Sequence, residues 1–329
     1  MKTYRVAVVG ATGMVGRTML KVLEERDFPV GELKLFASGK SAGKQLPFKG
    51  KDYVVEELTE NSFDRGIDIA LFSAGGDISR KFAPIAASRG AVVIDNSSAW
   101  RMDEAVPLVV PEVNPQDIDW HKGIIANPNC STIQAVVALK PLHDKYRIKR
   151  IVYSTYQAVS GSGYKGVNDL REGLLGNKPR FYPHPIVNNC LPHIDVFLDN
   201  GYTKEEMKMV NETKKIMGDY SLKITATTVR VPVENCHSES INVEFEKEFD
   251  LFELKNILAG SKGVKLIDDP EKNLYPIATM SEDTDLVYVG RIRRDESLTS
   301  GINMWVVADN IRKGAATNAV QIAELLINK

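Results

Sequence analysis

Tyr4-Arg5-Val6-Ala7-Val8-Val9 is a short apolar run, and Gly10-Ala11-Thr12-Gly13-Met14-Val15-Gly16 follows it with no spacer. A helical pattern then runs through Met19, Leu20, Val22 and Leu23. A strand that turns on glycines into a helix is the opening unit of a dinucleotide-binding fold. Glycines let the backbone approach a pyrophosphate, and the helix start supplies amide donors and a favourable dipole. The spacing is G-x-x-G-x-x-G rather than G-x-G-x-x-G, so the reading rests as much on the flanking strand and helix as on the glycines.

The pattern continues with strands at 33–36, 67–73 and 91–94 and a helix over 78–89. This alternation predicts a parallel sheet wrapped by helices. Ser73-Ala74-Gly75-Gly76 closes one strand at the carboxyl edge, where open α/β sheets bind ligands. The strand at 33–36 ends in Ala37-Ser38-Gly39-Lys40-Ser41, where a protein reading NAD places a carboxylate against the ribose. Ser38, Lys40, Ser41 and Lys44 instead suit a 2′-phosphate, which predicts NADP; the alternative is a solvated loop that contains lysine.

From Arg150 the strands lengthen and alternate, over 151–159, 222–233 and 240–248, with helices over 169–175 and 204–217 between the first two. The alternation at 224–229 predicts antiparallel pairing with one face on a core and the other on helices or a partner subunit. A chain of 329 residues exceeds what one core usually serves. The expected architecture is therefore α/β, with a Rossmann-like dinucleotide-binding domain over 1–129, completed by a C-terminal helix over 310–329. An α+β domain with a large mixed sheet occupies 130–309.

Charges nearly cancel, at a formal net charge of -1, and no acidic or basic block stands out. Nothing here attracts nucleic acid or an anionic membrane, which leaves small-molecule chemistry. The chain enters its first strand without a signal-like segment and has no apolar run of membrane-spanning length, so a cytoplasmic location is expected. Cys130, Cys190 and Cys236 are too few and too scattered for a disulfide framework or paired metal ligands, so no metal is expected and any functional cysteine is a free thiol.

Asn127-Pro128-Asn129 is turn chemistry, and 133–142 reads as a helix ending near Pro141. Cys130 then sits at the positive end of a helix dipole, which favours its thiolate. The alternative is a buried core cysteine. A proton partner is offered by His237, in Arg230-Val231-Pro232-Val233-Glu234-Asn235-Cys236-His237-Ser238-Glu239. Seven residues would put Arg230 and His237 on opposite faces of one strand, but the break at Pro232 and Glu234-Asn235 allows them to converge. Cys236, next to His237, points away in extended chain. Cys190 reads as packing, and His121, His143, His184 and His193 as surface or satisfied core histidines. Glu212 and Lys215 share a helix face, which alone reads as a surface ion pair.

The ordered set Gly10 to Gly16, Asp95-Asn96-Ser97-Ser98-Ala99-Trp100-Arg101, Asn127 to Thr132, Tyr156 to Gly163, Glu212 to Lys215 and Arg230 to Glu239 resembles the aspartate-semialdehyde dehydrogenase family from end to end. The resemblance implies a glyceraldehyde-3-phosphate dehydrogenase-like fold and NADPH-dependent reductive dephosphorylation of β-aspartyl phosphate, a phosphorylating aldehyde oxidoreduction in reverse. It places that reaction in biosynthesis of lysine and diaminopimelate, threonine, methionine and isoleucine. It implies Cys130 as the acyl-thioester nucleophile, His237 as acid/base and Gln157 as the residue orienting the tetrahedral intermediate. Arg101, Asn129 and Lys215 would surround the phosphate, Arg230 the substrate α-carboxylate and Glu212 its amino group. Cofactor contacts would come from Gly10, Thr12, Gly13, Met14, Val15, Gly16, Ser38, Lys40, Ser41, Ser73, Gly75, Ser160, Gly161 and Asn310. A homodimer through the second-domain sheet is also implied.

Two positions depart from the family pattern: Lys40 stands where many bacterial members have arginine, and Asp77 where a small hydroxyl residue is usual. Rival readings are a related acyl-phosphate reductase, such as N-acetyl-glutamyl-phosphate reductase or glyceraldehyde-3-phosphate dehydrogenase, and a catalytically silent NADP-binding homologue. The former lack the Glu212/Lys215 and Arg230/His237 segments in this form.

Overall fold

The computed structural model describes residues 2–328. The chain divides into two units, Met1–Pro128 with Ala315–Lys329, and Asn129–Gly314. The first unit opens with β1 (Tyr4–Val9), α1 (Met14–Glu25), β2 (Val30–Ala37), β3 (Gln45–Phe48), β4 (Lys51–Glu57), β5 (Ile69–Phe72), α2 (Gly76–Ser88), β6 (Val92–Asp95) and β7 (Ile124–Ala126). The seven strands lie in the order β3-β4-β2-β1-β5-β6-β7. All pair in parallel except β3, which runs antiparallel to β4 at the edge. Val6 to Val9 are fully buried, as expected of a central strand covered on both faces.

Strand order reverses between β1 and β5, and the carboxyl ends of these two strands are tied by a hydrogen bond from Ser73 N–H to the Val9 carbonyl. Such a switch point is where doubly wound sheets take up ligands. Gly10 turns there with a φ of 83°, and a Cβ on it would lie 2.3 Å from the Ser73 carbonyl oxygen. A Cβ on Gly16 would meet the Gly10 carbonyl oxygen at 2.2 Å. Both glycines are therefore required by close approach of backbone to backbone, with Gly13 as the N-cap between them.

The second unit contains α3 (Cys130–Tyr146), β8 (Ile148–Gln157), α4 (Tyr164–Leu174), α5 (Lys204–Met217), β9 (Lys223–Arg230), β10 (His237–Phe245), α6 (Leu251–Ala259), β11 (Val264–Leu266), α7 (Ala278–Ser281), β12 (Val287–Arg294) and β13 (Gly301–Ala308). Its six strands run in the order β11-β12-β13-β10-β8-β9 and form a mixed sheet. The chain then passes through a π-helical turn, Arg312–Ala316, into α8 (Thr317–Ile327), which packs on α1 and buries Ala319, Val320, Ile322 and Ala323 in the core of the first unit. No helix among the described residues is long and apolar enough to cross a membrane.

Three local expectations are corrected. The α3 helix starts at Cys130 rather than Ile133, because Asn129 caps it, and it continues through Pro141 to Tyr146, one missing N–H being tolerated in a helix of 17 residues buried along most of its length. β9 pairs with β8 in parallel, not antiparallel, because alternation reports which face is buried and not the direction of the neighbour. The terminal helix begins at Thr317, since 312–316 takes the wider turn.

Register across three strands of the second sheet sorts one buried face into rows. Arg230 pairs with Gln157, and Ser238 with Tyr156, which brings His237 level with Gln157 at the strand ends. The next row is Glu239, Thr155 and Thr228, and the third is Ile241, Tyr153 and Ala226. Helix α3 packs on β8 and β10, and α5 on β9.

Candidate active site

Asn129 is the residue that aims Cys130. Its extended backbone ends the turn, and its Oδ1 accepts from Ser131 N–H at 3.0 Å and Thr132 N–H at 3.2 Å. This cap satisfies two of the free amides and starts α3 with Cys130 as its first residue, where the helix end carries partial positive charge. Two carboxylates fix the cap in turn. Glu212 Oε2 accepts from Asn129 N–H at 2.7 Å, and Glu205 Oε1 accepts from Asn129 Nδ2 at 2.8 Å.

Cys130 is partly accessible, and its Sγ lies 3.1 Å from His237 Nε2. The other ring nitrogen, Nδ1, accepts the Ala158 N–H at 3.0 Å. A backbone N–H can only donate, so Nδ1 carries no proton and a neutral ring holds its hydrogen on Nε2, facing sulfur. His237 is fully buried, and burial, with the nearby Arg230 charge adding to it, holds its pKa well below the ordinary histidine value. The ring is thus a neutral donor at physiological pH.

Ala158 serves a second side chain: its carbonyl accepts from Arg230 Nη1 at 2.7 Å. One peptide segment beyond β8 therefore positions both the histidine and the guanidinium. Gly161 lies against them, since a Cβ there would stand 2.9 Å from Arg230 Nη1 and 3.2 Å from His237 Cε1. Gly314 occupies the same position relative to the cysteine, its absent Cβ falling 2.8 Å from Cys130 Cβ. Gln157 is buried beside Arg230 and donates to Thr155 Oγ1 at 3.3 Å and to Glu205 Oε1 at 3.4 Å. Ser160 Oγ accepts from Asn310 Nδ2 at 3.0 Å, and Asn310 Oδ1 accepts from Cys236 N–H at 2.9 Å.

The second unit thus gathers Cys130, His237, Gln157, Asn129, Glu212, Arg230, Ser160, Gly161 and Asn310. Lys215 is half-buried on α5, one turn from Glu212. Glu212 is buried, which overturns its reading as half of a surface ion pair. Arg101 belongs to the first unit, buried, with Nε donating to the Asn127 carbonyl at 3.0 Å and Nη2 to the Asn96 carbonyl at 3.0 Å. The same unit carries Gly10, Thr12, Gly13, Met14, Val15 and Gly16 in the turn after β1. Ser73 and Gly75 follow β5, and Ser38, Lys40 and Ser41 follow β2. Lys40 is exposed, and Asp77 is paired with Arg80 at 2.5 Å at the start of α2.

Cys236 is excluded as nucleophile on different grounds from those expected. It adopts a left-handed φ of 70° rather than extended chain, and burial first, then Asp309 and Glu282, push its thiol pKa up. Cys190 is exposed. Sequence reasoning missed Glu205 and Lys208. Burial pushes the Glu205 pKa up, but Lys208, 2.9 Å away, and Asn129 more than offset this and hold it below the usual carboxylate range. The only local signal was the Thr203/Glu206 capping box that places Glu205 in the first turn of α5.

Residues 5–121 match the family described as "Semialdehyde dehydrogenase, NAD binding domain", and 139–313 match "Semialdehyde dehydrogenase, dimerisation domain". The chain is 62% identical to an aspartate-semialdehyde dehydrogenase of Aquifex aeolicus (strain VF5), over 99% of this chain and 98% of that protein. A crystal structure of aspartate semialdehyde dehydrogenase II complexed with ASA from Vibrio cholerae superposes with a TM-score of 0.96 at 50% identity, covering 100% of this chain and 99% of that one. One with NADP from Candida albicans gives a TM-score of 0.79 at 27% identity, over 99% of each chain. An end-to-end match in sequence and fold, on a chain that pairs a helix-start thiol with a buried histidine, shows that this protein belongs to the aspartate-semialdehyde dehydrogenase family.

Proposed function

We propose that this enzyme reduces β-aspartyl phosphate to aspartate semialdehyde, reversibly, with NADPH and through a thioester on Cys130. The observation that carries the mechanism is the thiol at the first position of α3, 3.1 Å from the Nε2–H of a neutral imidazole. The helix end and that donor stabilise the thiolate without requiring histidine to take its proton. The thiolate attacks the acyl carbon, a C–S bond forms, and the phosphate leaves with the electron pair of the broken C–O bond. Bound NADPH supplies the hydride that reduces the thioester. The resulting oxyanion collapses by expelling the Cys130 thiolate, which regenerates the enzyme.

No step in this cycle needs a proton from His237. Its acid/base role therefore narrows to donating a hydrogen bond from Nε2 to sulfur or to the substrate oxyanion, as an electrostatic stabiliser. Arg230 offers a planar fork for the α-carboxylate, Glu212 a carboxylate for the amino group, and Lys215, Arg101 and Asn129 the donors for phosphate. Gln157, held by Thr155 and Glu205, orients the tetrahedral intermediate.

The glycine turn after β1 fits a dinucleotide, since it lies at the switch point of the sheet and leads into the N-terminus of α1 with Gly13 as its cap. Ser38, Lys40 and Ser41 favour the 2′-phosphate of NADP, the cofactor named for the Candida albicans relative. Ser160, Gly161 and Asn310 complete the cofactor contacts on the second unit. The half-exposed face of the second sheet, with Tyr156 packed on Trp305 at 5.4 Å between tilted rings, is the surface for a homodimer, in keeping with the dimerisation domain that matches it. The reaction belongs to biosynthesis of lysine, threonine, methionine and isoleucine, in the cytoplasm.

The test is run backwards. Aspartate semialdehyde, phosphate and NADP should yield NADPH, and Cys130→Ala should yield none. Production that ignores phosphate, or an active Cys130→Ala, overturns the proposal.

A further inference from the structure

Beneath the row that holds His237, Gln157 and Arg230 lies a second polar row, Glu239, Thr155 and Thr228, all three fully buried. Thr155 serves the row above by accepting from Gln157 Nε2. Glu239 has no such partner: neither carboxyl oxygen makes a hydrogen bond. Helix α3 covers this row with Ser131 and Gln134, both fully buried and three residues apart, hence on one helix face. Gln134 Nε2 donates to the His237 carbonyl at 3.3 Å, while its Oε1 is unpartnered. Ser131 Oγ faces the Glu239 carboxyl without closing a hydrogen bond to it.

Donor counting decides what this cluster needs. With Glu239 ionised, its two oxygens and Gln134 Oε1 are acceptors, and although Ser131, Thr155 and Thr228 carry hydroxyl donors nearby, none closes a hydrogen bond on the carboxyl. A proton on Glu239 removes a buried charge that no donor compensates and gives the carboxyl an O–H of its own to offer to the hydroxyl or amide oxygen of α3. We infer, on the mechanistic reading above, that Glu239 is a positioning residue whose carboxyl proton ties β10 to the start of α3 and so holds Cys130 and His237 in register. Ser131 follows the nucleophile, and Gln134 grips the histidine's own carbonyl, so the cluster touches both sides of the catalytic contact from behind.

The surroundings agree. Burial pushes the Glu239 pKa well up, and Ser131 opposes this only in part. The Tyr153 phenol faces it from β8, His237 lies two residues before it on its own strand, Ser131 meets it from α3, and its row contains no basic side chain. A carboxylate beside the first turn of α3 would also oppose the Cys130 thiolate, which the helix end favours. Neutrality of Glu239 therefore protects the nucleophile.

The experiment compares the parent enzyme with Glu239→Gln, which keeps donor and acceptor without charge, and Glu239→Leu, which keeps neither. Parent activity is measured first, so failure of the reaction assigned above shows as a parent without phosphate-dependent turnover. In an active parent, Glu239→Gln should hold kcat within about threefold and leave the pH dependence of Cys130 alkylation by iodoacetamide unchanged. Glu239→Leu should lose at least about tenfold in kcat with little change in KM. The infrared difference between parent and Glu239→Gln at neutral pH should contain a protonated-carboxyl band that shifts in heavy water. An active parent without that band, a Glu239→Gln enzyme damaged as badly as Glu239→Leu, or a Glu239→Leu enzyme with parental kcat overturns the inference. Should Glu239→Leu fail to fold, the band and the Glu239→Gln kinetics decide it alone.

Discussion

The Nε2 atom of His237 faces Cys130 Sγ at 3.1 Å while its opposite nitrogen accepts a backbone N–H, so the histidine meets the nucleophile as a hydrogen-bond donor and not as its base. Thiolate formation then rests chiefly on the α3 N-terminus, with the Nε2–H donor assisting. Removing the donor should slow the chemistry without abolishing the thiolate. His237→Ala is predicted to lower kcat by roughly 10²–10³, the scale of a lost oxyanion donor, and His237→Gln by less. Alkylation of Cys130 against pH should keep a single titration step in both variants. A strongly raised thiol pKa in His237→Ala would instead show an ion pair in the parent.

Gly314 and Gly161 test how tightly the reacting groups are packed. A methyl on Gly314 would stand 2.8 Å from Cys130 Cβ and 3.2 Å from its Cα, and the backbone of a helix start cannot retreat cheaply. Gly314→Ala is expected to cost about 10² in kcat/KM, since displacements near 1 Å carry that cost in an aligned site. Gly161→Ala presses on the movable Arg230 tip as well as on the His237 ring, so its penalty should appear in KM for the semialdehyde and in kcat together. Steady-state kinetics on folded variants checks both.

What could be read from the sequence was local. The strand, glycine turn and helix at Tyr4 to Glu25 follow from residues in contact along the chain, and so does a thiol at a helix start. The start itself was misplaced by three residues because Asn129 extends the helix through a side chain, whereas periodicity begins only with Ile133. Glu205, Ala158 and Glu239 were not legible as a set. Their roles depend on the β10-β8-β9 register and on α5 reaching Asn129, contacts between residues 76 and 83 positions apart. Ala158 acts through its backbone, so its side chain carried no signal.

Lys40 should decide the choice of dinucleotide. It is exposed beside Ser38 and Ser41, and the Glu57 carboxylate lies close to Gly39 in the same turn, 2.7 Å from where a Cβ would stand. A carboxylate at that distance opposes a phosphate, so any attraction must come from the lysines of the loop, Lys40 beside Ser38 and Ser41 and Lys44 further on. Lys40→Ala is predicted to raise KM for NADP by about tenfold at low salt, with KM for NAD little changed. Equal effects on both cofactors would remove the assignment of this loop to the 2′-phosphate.

Two buried groups one row apart should tilt stability against pH in opposite directions. His237 has a folded pKa below its unfolded value, so below about pH 6.5 the unfolded chain binds a proton that the folded chain refuses. Its contribution is present above that pH and is lost as pH falls towards the folded pKa, at up to about 1.4 kcal/mol per pH unit. Glu239 has a folded pKa above its unfolded value, so from about pH 4.3 upward the folded chain keeps a proton that the unfolded chain releases. Its contribution is present in acid and is lost as pH rises. Relative to the parent, His237→Asn should therefore improve as the solution is acidified below pH about 6.5, and Glu239→Gln should improve as it is made more alkaline. Urea unfolding at a series of pH values measures both differences. Parallel stability curves for parent and Glu239→Gln across that range would mean that the carboxyl is not held neutral by the fold.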